Sequence, residues 1–185
     1  MKNPSFEDIQ EARKHFLDLY HKYWLENALF TWQWWFLVIT VILSWVVWWK
    51  VVDKQRIHLI FNFGCLMAII SVLLDMIGLN RGAWAYPIRL YWACIPPLVP
   101  YDLTYIPVVF MLIYQRYGND TKKAFLAFTI TSAIISFVIE LFFMWIGVYR
   151  LYKWKTIYSF PIYIVVALFV RFLVGIFEKK SLKNT

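Results

Sequence analysis

Asp75 and Glu140 lie inside long apolar runs, 65 positions apart, and each anchors the same small pattern. The first copy reads Ala68-Ile69-Ile70-Ser71, then Asp75, Gly82, Trp84 and Pro96. The second reads Ala133-Ile134-Ile135-Ser136, then Glu140, Gly147, Tyr149 and Pro161. A carboxylate at the centre of a membrane helix costs about 2.5–3.5 kcal/mol on insertion scales, so a repeated one asks for a reason. If the two acids end equivalent helices on one side of a membrane, they can face each other across a cleft. Mutual repulsion then favours one protonated acid able to donate beside one carboxylate able to accept. That arrangement suits proton relay, cation binding or acid-base work on a lipid-soluble substrate. The structural alternative pairs Asp75 with Arg81 or Arg89, and Glu140 with Arg150 or Arg171, to lock helix ends. The sequence weighs the two evenly.

A third acid stands in Pro100-Tyr101-Asp102-Leu103-Thr104-Tyr105-Ile106-Pro107. The prolines remove backbone donors, and broken backbone at membrane depth is tolerated only where protein or a wet cavity covers it. Tyr101, Thr104 and Tyr105 bring hydroxyls, so a polar pocket is expected here, with a kinked span and an interfacial Asp102 as the alternative. The second copy has Ala167 at the matching position, so a site built from these parts should be asymmetric. Arg171, in the last apolar run, is expected to snorkel towards Lys179 or to pair inward with an acid. Cys65 and Cys94 lack metal spacing, and His15, His21 and His58 are scattered, so no metal or cofactor site is expected. No hydrolase triad or nucleotide loop is legible either.

These residues need elements to hold them. With 62% hydrophobic and only 16% charged residues, the 185-residue chain has more apolar surface than a soluble domain of this size buries, so it must use lipid as solvent. Apolar runs at 28–49, 57–78, 96–115, 124–146 and 157–177 each approach the roughly 20 residues that cross a bilayer as a helix. The expected fold is all-α: a bundle of about five transmembrane helices over 28–178, a basic tail over 179–185, and a two-span repeat related by an axis along the membrane normal. The third span is the weakest, because Pro96, Pro97, Pro100 and Pro107 crowd it; residues 88–100 can be read instead as a re-entrant or interfacial piece.

Residues 1–27 are not a signal peptide, since acids are plentiful and no short apolar core follows a basic start. Ser5 with Asp8 makes a capping box, and Phe6, Ile9, Phe16, Tyr20 and Tyr23 recur near helical spacing, so an amphipathic interfacial helix is expected. The net charge of +8 is spread in small groups at span ends, as topogenic charges are, which argues against nucleic acid as a partner. Lys and Arg divide evenly between the two sides when Arg171 is left out. The interleaved acids of the amino-terminal segment tilt the choice to an external amino terminus and a cytoplasmic carboxyl terminus. The eleven Trp and twelve Tyr cluster at span ends and are read as interfacial anchors without a ligand role.

Asp75-x6-Gly82-x-Trp84-x-Tyr86-Pro87, Pro100-Tyr101-Asp102, Tyr105-x-Pro107, Glu140, Gly147-x-Tyr149, Trp154 and Phe160-Pro161-x-Tyr163 together resemble a family of small, functionally uncharacterised multi-pass membrane proteins of spore-forming bacteria. The resemblance covers residues 28–178 and implies an integral protein of the bacterial cell membrane, with no activity or site to carry over. A more distant similarity is to lycopene-cyclase-type membrane domains, which also repeat a pair of spans with intramembrane acids. Those domains carry a Pro-Glu-Glu type motif where this chain has Pro100-Tyr101-Asp102, so cyclase chemistry is not implied.

The sequence therefore points to a membrane protein with a polar intramembrane site for a small ligand, ion, lipid or partner, acting without catalysis. Its candidate residues are Asp75, Asp102, Glu140, Tyr101, Tyr105, Arg81, Arg89 and Arg150. Two alternatives stay open: an acid-base enzyme acting on an isoprenoid or lipid, and a small transporter acting as a dimer. The lipid bilayer is the expected partner, with self-association or another membrane protein left open.

Overall fold

The computed structural model describes residues 3–94 and 99–181, with side chains to residue 178. Lys2, Pro96, Pro97 and Lys183 of the sequence reading lie outside the described residues. The fold is helical: α1 (Phe6–Asn27), α2 (Trp32–Val51), α3 (Ile57–Asn80), α4 (Ile106–Tyr117), α5 (Thr121–Ile134), α6 (Glu140–Trp145) and α7 (Thr156–Ser181). Two short strands, β1 (Trp84–Ala85) and β2 (Arg150–Leu151), pair antiparallel between the helices.

Among the described residues, four helical stretches are long and apolar enough to cross a membrane: Trp32–Val51, Lys54–Asn80, Thr121–Trp145 and Thr156–Glu178. The stretch expected as a third span is shorter. It runs as a π-helical turn over Tyr101–Tyr105 that leads into the 12-residue α4. Pro107 explains the turn: it has no N–H to offer the carbonyl four residues back, so the chain widens until the Ile106 N–H reaches the Tyr101 carbonyl. A second π-helical turn, Ile135–Ile139, joins α5 to α6 and ends with the Glu140 N–H on the Ile135 carbonyl.

The core forms where α3 and α5 each pack on both α4 and α7, with α2 laid along α4. Phe63, Phe110 and Phe128 are fully buried there, and Phe63 stacks on Tyr114 at 4.3 Å. Gly64 permits the close approach, since a Cβ at that position would strike the Met111 side chain. The outer surfaces are apolar too: Ile39, Ile42 and Leu43 of α2, and Phe169 and Phe172 of α7, are exposed. Exposed aliphatic rows on helices of this length are the surface that lipid covers.

Both acid-bearing helices end in the same cap, 65 positions apart. In the first, Arg81, Gly82 and Ala83 donate their N–H groups to the carbonyls of Ile77, Leu79 and Gly78; in the second, Ile146, Gly147 and Val148 donate to Phe142, Met144 and Phe143. Gly82 (φ +62°) and Gly147 (φ +78°) take the left-handed conformation that closes such a cap without a Cβ penalty. The strands that follow meet with Ala85 opposite Arg150, again positions related by the same offset.

α1 forms as its pattern predicts. The Ser5 hydroxyl accepts from the Asp8 N–H at 3.1 Å, and the Asp8 carboxylate accepts from the Ser5 N–H at 2.7 Å. Those same contacts hold the exposed Asp8 carboxyl below its usual range. Most of α1 is exposed, but its last turns dock: the Tyr20 hydroxyl donates to the Tyr86 carbonyl, and the Trp24 indole donates to the Arg89 carbonyl, both at 2.9 Å. Trp34 of α2 grips the next carbonyl, that of Leu90, at 2.9 Å. The loop after β1 is thus held by indole and phenol donors from α1 and α2.

Candidate functional site

Asp75 is set one turn before the α3 cap, on the face turned towards α4 and α7, and is buried. Its Oδ1 accepts two hydrogen bonds, from the Trp84 indole at 2.8 Å and from the Tyr86 hydroxyl. The cap makes this geometry: the chain reverses at Gly82, and β1 carries Trp84 back along α3. Gly78 is what lets the indole lie there, because a Cβ at that position would overlap the ring. Asp75 Oδ2 has no hydrogen-bond partner among the described residues.

Glu140 occupies the corresponding position in the second acid-bearing helix but is held differently. Its Oε1 accepts from the Tyr163 hydroxyl at 2.9 Å and its Oε2 from the Ser159 hydroxyl at 3.2 Å; Ser159 in turn accepts from the Trp154 indole at 3.0 Å. Both donors to Glu140 come from α7. Tyr163 also meets the Tyr101 hydroxyl at 3.4 Å, which links Glu140 to the π-helical turn that carries Asp102. Asp102 is buried, with Oδ2 unpartnered among the described residues.

The three acids line one cavity of about 310 Å³, shared with Tyr86, Tyr101, Tyr149 and Tyr163, Trp84 and Trp154, and a wall of aliphatic residues. Burial holds the phenols of Tyr86 and Tyr149, both in the loops beyond the spans, well above their ordinary range, so each stays a protonated donor. The lining residues that reach the surface, Leu74, Ile77 and Arg81, lie on α3 or at its end, and Ile162 and Val166 of α7 are half-buried. The cavity therefore opens on the side of α3 that faces α7. A shallow groove lined by Leu73, Met76 and Asn80 adjoins this mouth and shares Ile77 and Arg81 with it.

The other sequence candidates are placed elsewhere. Tyr105 stacks on Tyr101 at 6.0 Å but does not line the cavity. Arg89 sits over the Tyr20 ring at 4.2 Å and donates to the Tyr86 carbonyl at 3.4 Å; Arg150 is exposed in β2. The arginine pairing read from the sequence is not formed: among the described residues the ion pairs are Lys22–Glu26 and Lys123–Asp120, both at the surface. The cap geometry is the reason, since it turns Arg81 outward at the end of α3 and leaves Arg150 on the exposed face of β2. Arg171 pairs with no acid among the described residues. Its guanidinium donates to the Gly118 carbonyl at 2.8 Å and to the Thr121 hydroxyl at 3.0 Å, bracing the α4–α5 turn at the far end of the bundle.

Reading every Trp as an interfacial anchor also needs correction, because Trp84 donates to an intramembrane acid and Trp154 orients one of Glu140's donors. Tyr86, Ser159 and Tyr163 were likewise not singled out as site residues. The repeat carried a signal for Trp84, which shares its offset with Tyr149. None existed for Ser159, which stands opposite Cys94 in the first copy.

No family model matches this chain, and neither a curated protein nor a solved structure is similar to it.

Proposed function

We propose that the chain is a five-span protein of the bacterial cell membrane that binds a lipid-soluble ligand in the cavity between α3, α4, α6 and α7. The observation that carries this reading is the meeting of Asp75, Asp102 and Glu140 on one aromatic-walled space, with two carboxylate oxygens left unpartnered. Burying an unmet polar atom costs about 1–3 kcal/mol, and such a cost persists where a ligand removes it. Both π-helical turns adjoin an acid, and such turns concentrate at functional sites because they re-aim side chains out of regular register.

Five crossings follow from counting the Tyr101–Tyr105 turn and α4 with the four long helices, since α4 runs antiparallel between α3 and α5. The shared cap and the Ala85–Arg150 pairing support a duplication of span pairs about an axis along the membrane normal. With the amino terminus outside, α1 and both strands cover the outer end of the bundle, and the cavity opens to the outer leaflet. The apolar rim of Leu74, Ile77, Ile162 and Val166 suits entry from lipid more than from water.

A photoactivatable alkyl diazirine probe in vesicles tests this. Adducts on the buried inner wall, at Phe143 or Tyr101, are expected in addition to those on the lipid-facing rows. Labelling confined to exposed residues such as Ile42 and Phe172 would remove the cavity as a ligand site. Acid-base catalysis on an isoprenoid is the second reading, favoured by the linked Glu140, Tyr163 and Tyr101 hydroxyl chain, which offers a route for a proton. It requires turnover that Glu140→Gln abolishes while the fold stays intact.

A further inference from the structure

We infer that the ligand is an organic cation: an amphiphile whose ammonium head lies among Asp75, Asp102 and Glu140 and whose apolar part leaves between α3 and α7. This rests on the ligand-site reading above and adds the chemical class. Charge comes first. Three carboxyl groups line the cavity, while Arg81, the only base on its wall among the described residues, stands at the exposed mouth. An anionic head would meet these acids in a low-dielectric space, where like charges repel strongly.

The hydrogen-bond inventory separates a guest with a polar or charged head from a plain hydrocarbon. Protein donors already occupy Asp75 Oδ1 and both oxygens of Glu140, but among the described residues Oδ2 of Asp75 and Oδ2 of Asp102 have none. Both residues are more than nine-tenths buried. A hydrocarbon or simple isoprenoid would fill the space and leave both oxygens bare, whereas a cation compensates them.

The size of the cation follows from spacing. Among the described residues no three His, Cys, Asp or Glu side chains are grouped closely enough to hold a metal ion, although three acids share the cavity. A single guest that meets all three acids is therefore larger than a bare metal ion. The walls agree: Trp84 and Trp154 meet edge to face at 5.3 Å, and Tyr86 stacks on Tyr149 at 5.4 Å. Aromatic rings beside carboxylates make up surroundings that suit alkylammonium groups. A volume of about 310 Å³ takes such a head with a short apolar piece, and the groove past Ile77 takes a longer tail.

Calorimetric titration of the full chain in a neutral maltoside detergent tests the inference with two probes of one shape, benzyltrimethylammonium and its carbon isostere neopentylbenzene. The cation should bind at least about tenfold more tightly, the equivalent of about 1.4 kcal/mol. Asp102→Asn should erase most of that preference while leaving neopentylbenzene unchanged, and Arg81→Gln should keep or sharpen it. Equal binding of both probes to the unmodified chain would overturn the cation and keep a lipid-soluble ligand site. Binding of neither would overturn both readings. The two-probe comparison needs no variant, so a substitution that fails to fold does not spare the inference.

Discussion

Gly78→Ala is the substitution whose consequence is most closely set by geometry. An added methyl would overlap the Trp84 ring, and that ring holds its indole N–H on Asp75 at 2.8 Å. The molecule then has two responses. It can keep the indole in place and strain the α3–Trp84 contact, at about 1–3 kcal/mol for overpacking. Or it can swing the ring out and lose a hydrogen bond to a charged group, at about 1.5–3 kcal/mol. It will take the cheaper course, so about 1–3 kcal/mol is lost. Ala opposes this with up to about 1 kcal/mol of helix propensity. Gly175→Ala supplies the control, because nothing lies within 4 Å of a Cβ there. Propensity cancels between the two, and Gly78→Ala should be the less stable by about 1–3 kcal/mol in reversible unfolding in mixed micelles. Trp84→Ala should make Gly78→Ala nearly harmless, a coupling of about 0.5–3 kcal/mol in the double-mutant cycle. Equal effects of the two glycine substitutions, or additivity of Gly78→Ala with Trp84→Ala, would refute the proposed seat of the indole.

Asp102→Asn should hold or raise the unfolding free energy, by up to about 2 kcal/mol, because it neutralises a buried carboxyl whose Oδ2 has no partner among the described residues; a loss of similar size would mean that this charge is compensated in the fold. Tyr86→Phe, which removes a donor to Asp75 without leaving a large hole, should cost about 1–3 kcal/mol by the same unfolding assay. Gly147→Ala meets no neighbour, so its cost is backbone alone, about 1–2 kcal/mol from forcing a Cβ into the left-handed region; Gly147→Asn should recover part of it. Trp24→Phe should release the end of α1, seen as faster hydrogen exchange at residues 84–92 with little change in the bundle.

Much of the scaffold was legible because membrane helices are written in composition and length. The capping box at Ser5 and Asp8 and the four long apolar runs each follow from local composition and spacing. The third apolar run was not so simple. Its prolines signalled broken backbone at Pro100 to Pro107, but length alone could not say that the result is a π-helical turn and a 12-residue helix. Asp75, Asp102 and Glu140 could be chosen from the cost of burying an acid, and the repeat put two of them at matching depth. Their partners could not be chosen that way. Arginines near in sequence were the natural guess for charge pairing, whereas the actual donors, Trp84 for Asp75 and Ser159 and Tyr163 for Glu140, are delivered by the cap reversal and by α7. Which donors reach an acid depends on tertiary geometry, and that information is spread over several helices.

The central claim is that three intramembrane acids share one space reached from the bilayer. Reaction with dicyclohexylcarbodiimide, which partitions into lipid and modifies carboxyl groups, tests it most directly when set against a water-soluble carbodiimide. The lipid-soluble reagent should modify Asp102, Asp75 or Glu140 in the intact protein, to a total of about one adduct per chain, because the first blocks the cavity to the next. The water-soluble reagent should modify Glu7, Glu11 and Asp18 of the exposed α1 and leave those three untouched. Modification of all three acids independently, or of none of them by the lipid-soluble reagent, would contradict a single cavity open to lipid.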